Sequence, residues 1–237
     1  MYTLYIANRN YSSWSLRPWV LLREAGILFE ERLERFVEGP FGSSRERFLR
    51  FSPSGQVPCL HDGTIRVWDS LAIVGHVAET HPQVWPEDPA ARAFARSAAA
   101  EMHSGFGQLR RWCTMSVGIR MRLHEEACRA IAPDLVRLQE LWNQGLDRFG
   151  GPFLAGPRFS VVDAFYAPIA FRWQSYGFAL EGAAADYARH LLALKSMREW
   201  ERDALAETWR DAAHDAEALE SGEIVEDLRA RSLPSGA

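Results

Sequence analysis

Hydrophobic positions in the first eighty residues change period repeatedly. Residues 2–7 alternate apolar and polar, the pattern of a short strand. Residues 15–25 repeat at helical spacing and stop at Gly26. The stretch 28–37 suits a second strand with charged residues on one side, and 44–51 a short helix. Two brief apolar runs flank Asp62-Gly63, a strong hairpin signal, and residues 70–81 read as a helix. The order β-α-β-α-β-β-α predicts a compact α/β unit over 1–80. Three prolines within 81–92 mark a linker, taken as 81–90. Helical patterns then dominate, at 89–118, 121–149, 160–178, 184–194 and 196–210, so 91–215 is expected to be all-helical and 216–237 a mobile polar tail.

Composition narrows the possibilities. The chain has 237 residues, 47% hydrophobic and 24% charged, with net charge −4. That balance suits a soluble protein without a general electrostatic grip on nucleic acid. No apolar run spans a membrane and no signal peptide is visible, so a cytoplasmic setting is expected. Cys59, Cys113 and Cys128 are widely spaced, form no CxxC pair and are expected to be reduced and inert. His61, His76 and His81 lack metal spacing, and no metal is expected.

Chemistry concentrates at three places. Ser12, Ser13 and Ser15 precede an apolar helix. One serine suffices as a cap, and Ser15 fits, because it would put Pro18 in the first turn. Ser12 and Ser13 are then free to donate hydroxyls to an anion drawn by the helix N-terminus. In "SPSGQVPCL", Pro58 suits an edge strand; a cis Val57-Pro58 bond would instead turn the Val57 backbone outward toward an extended peptide ligand. Asp69-Ser70 opens a helix. It can serve as a cap, or Asp69 can hold an ammonium while Ser70 and the first-turn amides take a carboxylate.

The set "YSSWSLR", "SPSGQVPCL", "DSLAI", "WPEDPAARA" and "FSVVDA" resembles the cytosolic glutathione transferases over nearly the whole chain. The serine motif is most similar to the zeta class, and "AEMHSGFGQLRRW" to a bacterial subgroup close to it. The resemblance implies a thioredoxin-like N-terminal domain, an all-helical C-terminal domain and a homodimer. It implies glutathione as co-substrate and a small electrophile as second substrate, in a detoxifying transferase. It places Ser12, or its neighbour Ser13, against the glutathione sulfur. Val57 would pair with the cysteinyl backbone, Asp69 and Ser70 with the γ-glutamyl end, and Gln56, Pro58 and Trp14 beside the same site. Ser160 and Asp163 match the family's helix-capping box, a folding element.

Trp14 stands where the zeta class has cysteine, so thiol chemistry is excluded there. Zeta enzymes acting on a ring-cleavage diacid use an arginine near the position of Ser175; Arg172 lies one turn earlier, which weakens an isomerase reading. Met102, His103, Phe106, Arg110 and Arg172 are the candidates for the second-substrate pocket, each also explicable as packing or as a solvated face.

The expected chemistry is modest in energy. A free thiol with pKa near ~8.5 is about 3% thiolate at pH 7. Lowering it by about two units takes about 2.7 kcal/mol of preferential stabilisation and gives roughly 75% thiolate. A neutral serine donor beside a helix N-terminus is suited to that. Glutathione-dependent isomerisation, peroxide reduction and non-catalytic ligand binding remain alternatives on the same scaffold.

Overall fold

In the computed structural model, which describes residues 1–40 and 42–230, the first strand β1 (Tyr2–Ile6) is central. It pairs in parallel with β2 (Phe29–Leu33) and antiparallel with β3 (Cys59–Asp62), which pairs antiparallel with β4 (Ile65–Trp68). The sheet order β2-β1-β3-β4 is that of a thioredoxin-like unit. The β1–β2 pair is parallel because α1 (Ser13–Glu24) crosses between the strands. Leu4 and Ile6 face α1 and are fully buried, while Thr3 and Tyr5 alternate outward. The short helix α2 (Arg45–Phe48) puts Phe48 in a satellite core with Ala7, Phe51 and Cys59. The unit closes with α3 (Ser70–Thr80).

After a 3-10 turn at Pro82–Val84 the chain is mainly helical. The helices are α4 (Pro89–Ser104), α5 (Gly107–Trp112), α6 (Glu125–Phe149), α7 (Val161–Tyr176), α8 (Gly182–Ala193), α9 (Lys195–Ala206) and α10 (Ala212–Leu219). From Val161 to Arg172 every residue of α7 is buried, as expected of a helix apolar on all faces. It packs on α1, α4 and α8, so one hydrophobic core runs from the sheet into the helical domain.

The capping box is present. Asp163 accepts from Ser160 N at 2.9 Å and Ser160 Oγ at 3.2 Å, and also from Leu154 N and Tyr187 Oη. Burial pushes this carboxyl up to about 6, against those hydrogen bonds, which hold it down. It lies at the base of α7 and has a folding role.

Three expectations change. The pattern at 89–118 is two helices, because Gly105 and Phe106, the latter with φ +53°, break it. A side chain at Gly105 would meet Glu101 O at 2.7 Å, so the turn is too tight for one. Residues 119–123, placed partly in a helix, form β5 (Ile119–Leu123), with Ile119 and Met121 buried. Its partner is β6 (Gly222–Asp227), from the stretch expected to be a mobile tail. The C-terminal region is therefore helical with a two-stranded ribbon, and α10 reaches into the expected tail. Residues 231–237 of that tail lie outside the described residues. No helix among the described residues is long and apolar enough to cross a membrane.

Candidate active site

The turn from β1 to α1 sets the first side chain. Tyr11 N and Ser12 N both donate to Asn8 O, at 3.1 and 2.9 Å, which draws the chain tightly into the helix. Ser12, not Ser15, is the N-cap residue, and it makes no side-chain cap. Pro18 accordingly sits in the second turn. Ser15 Oγ instead accepts from Ala7 N at 3.2 Å and from Ser12 Oγ at 2.7 Å. Its hydroxyl ties the end of β1 to the start of α1.

A cleft of about 670 Å³ opens beside this turn. Ser12, Trp14, Gln56, Val57, Pro58, Trp68, Asp69 and Ser70 are among its lining residues. The Val57–Pro58 bond is cis. Asp69 has φ +70°, uncommon for a residue other than glycine. Its Oδ1 caps α3 by accepting from Leu71 N at 2.7 Å, while Oδ2 lies 3.4 Å from His103 Nε2. Ser70 Oγ is buried without a hydrogen-bond partner among the described residues. An orphan hydroxyl on a cleft wall, at a helix N-terminus, is suited to an anionic ligand group.

Two arginines lie against Trp14, and a third, Arg172, lies against Ser13. Arg17 lies 4.1 Å from the Trp14 ring centroid and 4.9 Å from that of Phe165; Arg110 lies 5.2 Å from Trp14. Arg172 Nε donates to Cys113 O at 2.7 Å and Nη2 to Ser13 Oγ at 3.3 Å. Arg17 Nε and Nη1 and Arg172 Nη1 are buried and have no hydrogen-bond partner among the described residues. Burial and then mutual repulsion bring Arg17 down to about 9, and burial brings Arg172 down to about 10. Both remain cationic at neutral pH. Burial holds His103 below the usual imidazole value, partly offset by Asp69.

A second part of the lining comes from the far end of the chain: Asp211, Ala213 and His214 line the same cleft. Asp211 Oδ1 accepts from His214 N at 3.1 Å and faces His214 Nδ1 at 3.0 Å. The His214 ring stacks on Tyr11 with centroids 5.1 Å apart. Tyr11 Oη donates to Asp215 Oδ1 at 3.0 Å and accepts from Arg229 Nη1 at 3.1 Å. Arg229 is in turn gripped by both oxygens of Asp227. Below this, buried Glu207 accepts from Arg9 N, Asn10 N and Asn10 Nδ2, at 2.7, 3.3 and 3.2 Å. Gly118 N donates to Asn10 Oδ1, and a Cβ at Gly118 would meet Arg229 Cγ at 2.3 Å, so this junction requires glycine.

Residues 11–80 match the family described as glutathione S-transferase, N-terminal domain. The structure is similar to a glutathione transferase homolog from Burkholderia with bound glutathione, at TM-score 0.62 and 21% identity, covering 86% of this chain and 97% of that one. It is also similar to a theta class glutathione S-transferase from Xanthomonas axonopodis pv. citri with glutathione bound, at TM-score 0.61 and 24% identity, covering 87% and 98%. The chain has the glutathione transferase fold. Over 167 residues it is 27% identical to maleylacetoacetate isomerase of Rattus norvegicus, covering 70% of this chain and 74% of that protein.

Within this glutathione transferase fold the residues expected at the site separate into two groups. Ser12, Trp14, Gln56, Val57, Pro58, Asp69 and Ser70 converge on the cleft. Ser13, Met102, His103, Phe106, Arg110 and Arg172 are not among its lining residues. Met102 is fully buried in the core, and Phe106 packs edge-on to Tyr166. Arg110 folds back onto the carbonyls of His103 and Gly105. His103 contacts the edge of Trp14, and Arg172 sits behind Ser13. Buried Cys59 donates to Phe51 O, and desolvation raises its thiol. Desolvation takes Cys113 up to about 12, and Cys128 is exposed.

The wall built by Asp211 and His214 was not anticipated. Asp211 ahead of "AAHDAEAL" is a legible helix cap. That this helix folds back over residue 11 has no local signal.

Proposed function

We propose that the cleft binds glutathione and that the chain uses it as a thiolate against a small electrophile, with Ser12 donating to the sulfur. One observation carries this reading: Ser12, Val57, Asp69 and Ser70, far apart in sequence, share a single cleft. Similarity to structures that hold glutathione supports it. Asp69 and the orphan Ser70 hydroxyl suit the ammonium and carboxylate of a γ-glutamyl group. Ser12 is favoured over Ser13 because it lines the cleft, whereas Ser13 Oγ takes an N–H from Arg172. The Ser12 proton points to Ser15 Oγ, which also accepts from Ala7 N. Rotation about the Ser12 C–O bond turns that proton toward a sulfur anion. The α1 N-terminus adds to the same stabilisation.

A second reading, glutathione-dependent cis-trans isomerisation of an anionic substrate, is favoured by the positive charge of Arg17 and Arg110 against the cleft-lining Trp14. The similarity to maleylacetoacetate isomerase points the same way. Titration calorimetry with glutathione tests the shared premise, with micromolar to millimolar binding expected. Absence of heat reduces the chain to a scaffold without this co-substrate. Assays with an aryl chloride, a hydroperoxide and a cis-enone then separate conjugation, peroxide reduction and isomerisation.

A further inference from the structure

Asp69, the residue suited to the ligand's ammonium, is held from both domains. Its φ of +70° persists in a residue other than glycine only where the surroundings fix it. Oδ1 is fixed from within the α/β unit, by Leu71 N at 2.7 Å. Oδ2 faces Nε2 of His103, on α4, at 3.4 Å, within ion-pair range though long for a hydrogen bond. His103 is not among the lining residues of the cleft; Asp69 is, and it is the polar link between the two. The imidazole is bounded by the edge of Trp14, with centroids 5.3 Å apart, and by Phe165 of α7 at 6.3 Å. A carboxylate oxygen opposite Nε2 selects the tautomer with its proton there. Nδ1 is buried with no hydrogen-bond partner among the described residues, so a second proton on the ring finds no acceptor. The charged groups facing the ring are Asp69 at the start of α3, Arg17 on α1 and Arg110 on α5. Burial holds the imidazole below its usual value; Asp69 opposes this, and the two arginines add to it. The ring is therefore neutral at pH 7.5.

We propose that His103 is a positioning residue for the γ-glutamyl ammonium: neutral, it orients the Asp69 carboxylate, and protonated, it competes with the ammonium for Oδ2. The proposal rests on the glutathione reading given above and adds to it a recognition of the amino group that weakens in acid. Two cations at one carboxylate oxygen repel each other, so a bound ammonium favours the neutral ring. Affinity for an amino-bearing ligand is then full above the His103 value and falls as pH drops through it. A ligand without the amino group does not meet this competition.

The experiment compares glutathione with glutaryl-cysteinylglycine, the same tripeptide without its amino group, by titration calorimetry from pH 5 to 8. The proteins are the wild-type chain, His103→Gln and His103→Ala. Both ligands carry the thiol, so thiolate formation cancels in the ratio of their affinities. The wild-type preference for glutathione is expected to fall by about threefold or more between pH 7.5 and pH 5. In His103→Gln, whose amide N–H can still face Oδ2, it changes by less than about twofold over the same range. At pH 7.5 the glutamine variant keeps the preference within about threefold, and His103→Ala loses about tenfold. No preference in the wild type, a preference there that ignores pH, one that still falls in His103→Gln, or one untouched by His103→Ala overturns the proposal and leaves glutathione binding in place. A loss of affinity shared equally by both ligands marks a structural role and overturns it as well. If His103→Ala does not fold, the pH profile of His103→Gln decides. No heat from glutathione on the wild type defeats the thiolate reading and this inference together.

Discussion

The two walls of the cleft are held by different forces. The Ser12–Asp69 wall is mostly backbone: a tight turn onto Asn8 O, a cis proline and an α3 cap at positive φ. Its side chains project from the ends of strands that pair with one another, so the sheet fixes their spacing. The Asp211–His214 wall hangs on side chains reaching across about two hundred residues. Glu207 grips the amides of Arg9 and Asn10, and Tyr11 joins Asp215 and Arg229. A wall fixed by sheet pairing survives loss of a single side chain. A wall fixed by a few buried polar contacts does not, because each removed partner strands a donor or acceptor away from water.

The largest expected effect falls on the second wall. Glu207→Ala leaves the Arg9 and Asn10 amides without their acceptor and is expected to cost about 3 kcal/mol. For a chain of this size that is a drop of roughly 6–12 °C in Tm by calorimetry. A loss below about 1 kcal/mol would show that the walls are independent. Acid sharpens the same point. Desolvation holds the Glu207 carboxyl above its ordinary 4.5, so the folded state takes up the proton first. Its contribution to stability is fully present below 4.5 and is lost as pH rises through the higher folded value. Urea unfolding across that window is expected to show this gain on acidification, and Glu207→Gln to lack it.

The first wall is tested by exchanging its two leading hydroxyls. Ser12→Ala is expected to raise the kinetic pKa of bound glutathione by about one unit or more, about 1.4 kcal/mol. Ser13→Ala should move it much less. If the two pH–rate profiles are interchanged, the sulfur lies on the Arg172 side. Tyr11→Phe removes one hydroxyl from the Asp215–Arg229 junction but keeps the ring beneath His214; about 1 kcal/mol of stability is expected to go. The smallest change in stability is expected at Arg17→Met, within about 1 kcal/mol by urea titration, because an apolar side chain of similar length replaces a buried charge without a paired carboxylate. The same variant is expected to lose rate selectively with anionic electrophiles.

Much of the first wall was readable because each of its parts obeys a local rule. Asp69 precedes an apolar helix, Val57-Pro58 precedes a hairpin, and serines crowd the start of α1. One local rule misled: Ser15 was assigned the cap, but its hydroxyl serves Ala7 N and Ser12 Oγ instead. Residues 119–123 alternate strictly as I-R-M-R-L, a strand signal hidden by the helical patterns on either side. The 216–230 stretch looked weakly patterned because its order comes from Arg229, 5% exposed, whose partners are Tyr11, Asp215 and Asp227. Met102 and Phe106 have helical spacing, which says that one face is buried but not whether core or ligand covers it.

The sequence by itself determined the α/β unit, the helical region after it, the capping box and the residues of the Ser12–Asp69 wall. Period, caps and turns act over a few residues, and the code for them is local. Tertiary structure alone decided that Arg17 and Arg110 pack against Trp14, that the supposed tail pairs with β5, and that His214 lines the cleft. Those arrangements depend on which surfaces meet when two domains share one core, and a contact between residues 11 and 214 leaves no periodic trace in either segment.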